Sequence, residues 1–321
     1  MMRLGFVLVL GLAVLSSTVG APPEAAPPVP PLKAEKVEAP APQLLEVKVE
    51  RNIEYDTIDG QKLYLDLAMP KAEGKYPCVV MFHGGAWTGG SRGDLSVGGK
   101  DKNGKALPSL IEEVAARGYV VASVGYRLAP KHKFPAQIQD ARAAVRFLRA
   151  NAKQYNIDPD KFAAAGFSAG GHLALLLGMA DKVEGWDAGS NTDQSAKVQC
   201  VVDFFGPTDL SLYSATPSLE DAYLVPVFGK DAKTDPKIYQ KASPITYASK
   251  NTPPTLILHG NFDLIVPIIH SENLVKKLQA EKVPVEMISV RGEGHGWSGP
   301  AFTRTFNDSI KFLDTHLKGK K

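Results

Sequence analysis

One serine in this chain stands in a setting that only chemistry explains well. It lies in Gly166-Phe167-Ser168-Ala169-Gly170, between the short apolar run of residues 162–165 and the apolar stretch of residues 173–179. The first run is too short for an independent helix and reads as a strand; the second reads as a helix. A serine on a sharp strand-to-helix turn sits in strained backbone, and glycines on both sides keep such a turn free of Cβ clashes. The helix that follows points its unbonded N–H groups and positive dipole end at the serine, where an oxyanion would form. The chemistry this predicts is nucleophilic attack on a carbonyl. Gly-x-Ser-x-Gly alone arises often by chance, so the prediction depends on partners elsewhere in the chain.

A serine hydroxyl is a poor nucleophile at neutral pH. It needs a general base in hydrogen-bond reach, and the base needs an orienting carboxylate. In a sheet of this kind the order along the chain is nucleophile, acid, histidine, each on a loop after a strand's carboxyl end. That order sorts the seven histidines. His83, His132, His172 and His259 come too early, His270 follows the acid too closely, and His316 lies in an amphipathic last helix. His295 remains, in Gly294-His295-Gly296-Trp297, where flanking glycines leave the ring accessible. Asp263, in His259-Gly260-Asn261-Phe262-Asp263, is the best placed acid, with Asp209 the runner-up. Asp203 falls inside a strand and reads as structural. Backbone N–H donors for the oxyanion are expected from Ala169, directly after the nucleophile, and from Gly84 and Gly85, where glycine lets the backbone approach a substrate. His83 is expected to brace that loop.

These residues need a scaffold that brings distant loops to one edge. Alternation around Asp59-Gly60, over residues 47–57 and 61–68, predicts a β-hairpin. Residues 76–82, 119–126, 199–205, 255–259 and 283–290 read as further strands, several of them apolar throughout and suited to burial on both faces. Helical segments are predicted at 109–117, 134–155, 271–280 and 302–317. Alternating strands and helices predict an α/β fold: a mostly parallel central sheet with an antiparallel N-terminal hairpin and helices on both faces. Residues 210–253 are too long for a simple connection and read as an insertion, or lid, over the site. Tyr213, Tyr223 and Phe228 within it are candidates for pocket lining or for lid packing. No internal repeat is evident.

At the amino end, Arg3, the apolar run of residues 5–15 and the small residues 16–21 form a secretory signal pattern, too short to span a bilayer. Residues 1–21 are expected to be removed, with the cleavage bond left open by Pro22. No stable membrane insertion is expected thereafter. Residues 22–44, rich in Pro and Ala, read as a disordered spacer. The folded domain is residues 45–321. A net charge of +3, partly terminal, gives no nucleic-acid footprint. Cys78 and Cys200 fall in separate apolar strands and are expected to be buried free thiols.

Taken together, the motifs resemble the α/β-hydrolase esterase/lipase family, the group that includes hormone-sensitive-lipase-like and feruloyl- or acetylxylan-esterase-like enzymes. The residues that carry the resemblance are His83-Gly84-Gly85-Ala86-Trp87, Tyr126-Arg127-Leu128-Ala129-Pro130, Gly166 to His172, His259-Gly260 with Asp263 and Val266-Pro267, and Gly294-His295. The resemblance implies a Ser168–His295–Asp263 triad, an oxyanion hole from Gly84, Gly85 and Ala169, and neither metal nor cofactor. It implies a secreted serine esterase acting on a small-molecule or carbohydrate ester, with acetyl or feruloyl esters of polysaccharide in view. Ala86 departs from the third glycine many relatives carry. The His-Gly-Gly-x-Trp form is also similar to arylformamidases, so the leaving group stays open between ester and formamide, with a general short-chain carboxylesterase as a further alternative. A non-catalytic, surface-binding relative is the reading from another class. Arg127 and Asp140 are expected to pair beneath the site. Trp87 either packs the oxyanion loop or lines the pocket, and Trp297 is a candidate for stacking on a sugar or aryl ring.

Overall fold

The computed structural model describes residues 44–100 and 102–320. The predicted signal segment and almost all of the predicted spacer lie outside the described residues.

The hairpin forms as the alternation predicts. Strands β1 (Val47–Ile58) and β2 (Gln61–Pro70) are antiparallel, with Ile58 opposite Gln61. Asp59 and Gly60 both take left-handed backbone, φ +53° and +73°, the conformation that lets a two-residue turn follow the twist of its strands. The sheet continues with β3 (Tyr76–Phe82), β4 (Val120–Val124), β5 (Ile157–Phe167), β6 (Cys200–Phe204), β7 (Thr255–Gly260) and β8 (Val285–Val290). Its order is β1-β2-β4-β3-β5-β6-β7-β8; β1/β2 and β2/β4 are antiparallel and the remaining pairs parallel.

Because the pleat alternates side chains, each apolar strand feeds two cores. On β3, Cys78, Val80 and Phe82 face one layer and Val79 and Met81 the other. After the short helix α1 (Gly93–Ser96) come α2 (Leu110–Ala115), α3 (Ala136–Ala150) and α4 (Ala169–Met179). The insertion contributes α5 (Pro217–Leu219), α6 (Val225–Phe228) and α7 (Pro236–Ala242), and α8 (Ile269–Ala280) and α9 (Gly299–Lys318) follow. Ile138 and Leu148 of α3, Leu173 and Leu176 of α4, and Leu274 and Leu278 of α8 fill the first layer. Ile111 and Val114 of α2 and Phe312 and Leu317 of α9 fill the second. Each such side chain withdrawn from water contributes about 1.5–3 kcal/mol. Cys78 and Cys200 sit in opposite layers and are free, and burial pushes the Cys200 thiol up to about 12. They are packing residues.

One predicted helix differs in detail. The helix expected over residues 134–155 ends at Ala150, because residues 151–156 turn back to start β5 at Ile157. The stretch between β3 and α2 contains α1, beside which Asp94 accepts hydrogen bonds from the Ser91 N–H and hydroxyl. The long segment between β6 and β7 is structured. Besides α5 to α7 it holds 3-10 turns at Leu210–Ala215 and Pro244–Tyr247 and a π turn at Glu220–Leu224. It is tied to the scaffold by His172 of α4, whose Nε2–H donates to the Ala242 carbonyl at 2.7 Å.

Candidate active site

Ser168 sits on the turn between β5 and α4 at φ +54° and ψ −119°, well outside the helical and extended regions. Such backbone costs about 1–3 kcal/mol and persists only where the surroundings hold it. Here they do: the Ser168 N–H donates to Phe204 O at 2.8 Å, and His172 N–H donates to Ser168 O at 3.0 Å. The flanking glycines are steric requirements. A Cβ on Gly166 would lie 2.2 Å from Gly170 O, and one on Gly170 would lie 2.1 Å from Phe82 O.

His295 arrives on the loop after β8, and its Nε2 lies 2.8 Å from Ser168 Oγ. Its Nδ1 lies 2.7 Å from Asp263 Oδ2, on the loop after β7. A carboxylate only accepts, so Nδ1 carries the proton and Nε2 presents its lone pair to the serine hydroxyl. Asp263 is itself fixed: its Oδ1 accepts from Ile265 N–H and Val266 N–H, both at 2.9 Å. Burial by itself would raise the Asp263 carboxyl. Hydrogen bonds from His259, His295 and the Val266 N–H outweigh burial and hold it well below the usual carboxylate range.

The three residues picked from chain order therefore meet in one hydrogen-bonded chain. Asp209, the runner-up acid, does not join it; its Oδ1 accepts from Ser211 N–H and hydroxyl at the start of a 3-10 turn. His270 is also engaged elsewhere. Its Nδ1 accepts from the Thr208 and Asp209 N–H groups, and burial brings it down to about 4, so it stays neutral.

His259 has a role that sequence order did not expose. Its Nε2–H donates to Val266 O at 2.7 Å and lies 3.3 Å from Asp263 Oδ2, while Nδ1 accepts from Ser271 Oγ at 2.6 Å. It therefore steadies Asp263, not Ser168. The pairing of a histidine and an aspartate four residues apart across a strand end was the available signal.

The loop after β3 folds back over Ser168. Gly85, Ala86 and Trp87 all have left-handed backbone, φ +109°, +49° and +58°. A Cβ on Gly85 would lie 2.3 Å from Gly89 O, and one on Gly84 would lie 3.5 Å from Ser168 Cβ. Glycine at position 85 is thus required by the fold of the loop itself, and the loop brings the Gly84 backbone close to Ser168. Ala86 occupies conformational space that glycine enters without cost. His83 braces the loop as expected: Nδ1–H donates to Gly84 O at 2.7 Å and the ring stacks on Tyr126 at 4.3 Å. Beneath it, Arg127 Nη2 and Asp140 Oδ1 pair at 2.8 Å, both buried. Ala169 opens α4, where the first N–H groups have no intrahelical acceptor.

Over these groups lies a cavity of about 450 Å³. Its walls include Trp87, Phe205, Tyr213, Tyr223, Leu224 and Ile265, and the His295 ring opens onto it. Trp87 takes the pocket-lining alternative and packs edge-on against His172 of α4 at 4.9 Å. Tyr213 and Tyr223 line it as well. Phe228 does not; it packs against Phe134 and Tyr239 in the core. Trp297 also stands outside the lining, because its Nε1–H donates to Thr305 Oγ1 of α9 at 2.8 Å and its ring packs on Phe204 and Phe205. A second cavity, about 470 Å³, has Lys62, Arg92, Arg127 and Lys131 among its lining residues. The first three pair with Glu54, with Asp66, and with Asp59 and Asp140, respectively.

A parallel sheet with this strand order, a serine on the β5 turn and its partners on the loops after β7 and β8 together define an α/β-hydrolase of the esterase/lipase group. Comparison with known proteins narrows this. The BD-FAE family model matches residues 65–278, and the chain belongs to that family. It is 32% identical over 227 residues to esterase LipC of Mycobacterium tuberculosis, covering 69% of this chain and 53% of that protein. The chain spans about half the length of the curated relatives it matches, 53% and 47% for the first two. Among solved structures it is similar to a truncated carbohydrate esterase from gut microbiota, with TM-score 0.70, 28% identity, and coverage of 87% of this chain and 99% of that one. It is equally similar to a bifunctional GH43-CE protein of Bacteroides eggerthii, with TM-score 0.71, 28% identity, and coverage of 84% of this chain and 38% of that one.

Proposed function

We propose that this protein is a serine esterase that hydrolyses carboxylic esters through an acyl-enzyme on Ser168. The observation that carries the reading is the continuous hydrogen-bonded chain Ser168–His295–Asp263, at 2.8 and 2.7 Å, opening into the cavity. In the reaction, His295 Nε2 takes the hydroxyl proton as Ser168 Oγ attacks the ester carbonyl. The resulting oxyanion is held by backbone N–H groups of Gly84, Gly85 and Ala169, each donor worth about 3–4 kcal/mol. His295 then passes its proton to the departing alkoxide. Water, deprotonated by the same imidazole, attacks the acyl-enzyme and returns free Ser168 with the carboxylic acid.

The substrate we propose is an ester borne by a carbohydrate, carrying an acetyl or hydroxycinnamoyl group. Two observations support it. One of the similar structures above is named as a carbohydrate esterase. The cavity walls are apolar and aromatic, suited to a neutral acyl group. The export pattern at the amino end fits a polymer-derived substrate outside the cell.

The test is kcat/KM on acetylated xylo-oligosaccharide, methyl ferulate, p-nitrophenyl butyrate and N-formylkynurenine, with Ser168→Ala as blank. The expected outcome is preference for a sugar or feruloyl ester, with Ser168→Ala lowering kcat by roughly a millionfold. Preference for the plain ester or the formamide overturns the substrate assignment. Turnover retained by Ser168→Ala overturns the mechanism.

A further inference from the structure

Two local costs coincide at one turn that the reaction scheme does not use. Phe205, just after β6, has φ +46°. Left-handed backbone is uncommon for any residue with a side chain and is an outlier for a bulky one. Two residues earlier, Asp203 is wholly buried. Its Oδ1 accepts from the Gly206 N–H at 2.9 Å, and its Oδ2 has no partner among the described residues. A strained aromatic and a half-satisfied buried carboxyl in four residues call for a compensating gain.

The gain lies where the strain sends the ring. The Asp203–Gly206 bond closes the turn, and Phe205 N–H donates to Leu258 O at 2.8 Å, continuing the β6–β7 ladder. A Cβ on Gly206 would lie 2.5 Å from Asp203 Oδ1 and 2.6 Å from His172 N, so the turn must be this tight. Held this way, the Phe205 ring lies 4.8 Å from the His295 ring at 62° and forms part of the cavity wall. From behind, Trp297 packs on it at 5.2 Å, and Trp297 is pinned to α9 through Thr305.

His295 needs such a neighbour. Its flanking residues are Gly294 and Gly296, which offer no side chain to wedge the imidazole. Its two hydrogen bonds, to Asp263 and Ser168, leave from the two ring nitrogens in the ring plane, so neither packs a face of the imidazole. With glycine on both sides, the backbone that carries the ring has little local packing of its own to hold it. A flat group packed against the imidazole at a steep angle limits how far the ring can shift from that geometry.

From this we infer that Phe205 is a positioning residue for His295, set by the strained turn after β6 and backed by Trp297 and Thr305. The inference rests on the reading of His295 as general base. It acts through the base and not through the substrate, so it predicts a change in kcat with KM little altered.

The test uses three substitutions in the mature protein with p-nitrophenyl butyrate, beside Ser168→Ala. Phe205→Gly keeps the left-handed turn at no steric cost and removes the ring. Phe205→Leu fills most of the volume without a flat face. Phe205→Tyr keeps the face. Phe205→Gly and Phe205→Leu are expected to lower kcat at least about tenfold with KM within about threefold, while Phe205→Tyr stays within about threefold of wild type in kcat. The second-order rate of Ser168 phosphorylation by paraoxon, which needs the base but little acyl binding, is expected to fall in parallel. Kcat and paraoxon rate unchanged in Phe205→Leu, with only the melting temperature lowered, would overturn the inference and leave Phe205 a packing residue. If Phe205→Gly fails to fold, Phe205→Leu decides alone. Turnover surviving Ser168→Ala would instead sink the underlying mechanism, so the two failures are distinct.

Discussion

Replacing Asp263 by asparagine tests the site most sharply, because shape is kept and only a proton and a charge change. In the native site Oδ1 accepts from two backbone N–H groups at 2.9 Å and Oδ2 faces His295 Nδ1 at 2.7 Å. An asparagine keeps its oxygen on the two N–H groups, which places its NH₂ against Nδ1. Two donors cannot share that contact, so the imidazole moves its proton to Nε2, the atom that must accept from Ser168. The base is then in the wrong tautomer, a defect worth about 10⁴ in kcat, or roughly 5.4 kcal/mol of barrier. The same NH₂ also meets the His259 Nε2–H, 3.3 Å from the native Oδ2. That second clash of donors costs about 1–3 kcal/mol of stability. The assay pairs burst kinetics on p-nitrophenyl butyrate with thermal unfolding at pH 7. The wild-type carboxyl is held low in the folded state. Its contribution to stability is therefore complete above the unfolded value of about 3.9 and is lost as pH falls through the lower folded value. The stability gap between wild type and Asp263→Asn should accordingly be constant above about pH 5 and narrow in acid. More than a tenth of wild-type kcat in Asp263→Asn, or a comparable loss in Asp209→Asn, would refute the assignment of the acid.

Asp203 behaves in the opposite sense. Burial raises its carboxyl well above the ordinary range against a single hydrogen bond from Gly206, so folding favours the neutral acid. Stability from that proton is present below about pH 3.9 and drains as pH rises toward the folded value, by about 1.4 kcal/mol per pH unit. Asp203→Asn, which does not titrate, should therefore gain on wild type in melting temperature between pH 4 and pH 8; an equal offset at every pH would disprove the buried neutral acid. The Arg127–Asp140 pair gives a third case, with burial pushing Asp140 up to about 6 even against its cation. Arg127→Met leaves that carboxyl buried alone, at a cost of about 3–5 kcal/mol, and Arg127→Met with Asp140→Leu should recover most of it. Unfolding in urea reads both, and an additive double mutant would show that the two groups do not interact.

What could be read from the chain, and what could not, divides along one physical line. The sheet was legible because strands buried on both faces are apolar throughout, and Asp59-Gly60 names its own turn. Ser168, Asp263 and His295 were legible because chain order and strand ends restrict them to a few positions. Trp297 was open to a role on the substrate because an aromatic beside the base has an accessible look in sequence; its indole N–H is committed to Thr305, a contact between a loop and a helix that no spacing encodes. His259 was set aside as a base for sound reasons, yet it stands beside the acid, since only the folded loop brings Nε2 to Val266 O and Asp263 Oδ2. Phe205 is the instructive miss. In sequence it is one more apolar residue at the end of a strand, and its local preference is for extended backbone. The fold overrides that preference, at φ +46°, and places the ring on the imidazole. Local and tertiary demands agree almost everywhere in this sheet. Where they conflict near the cavity, at Ala86, Trp87, Ser168 and Phe205, the strained residues line the same cavity as His295.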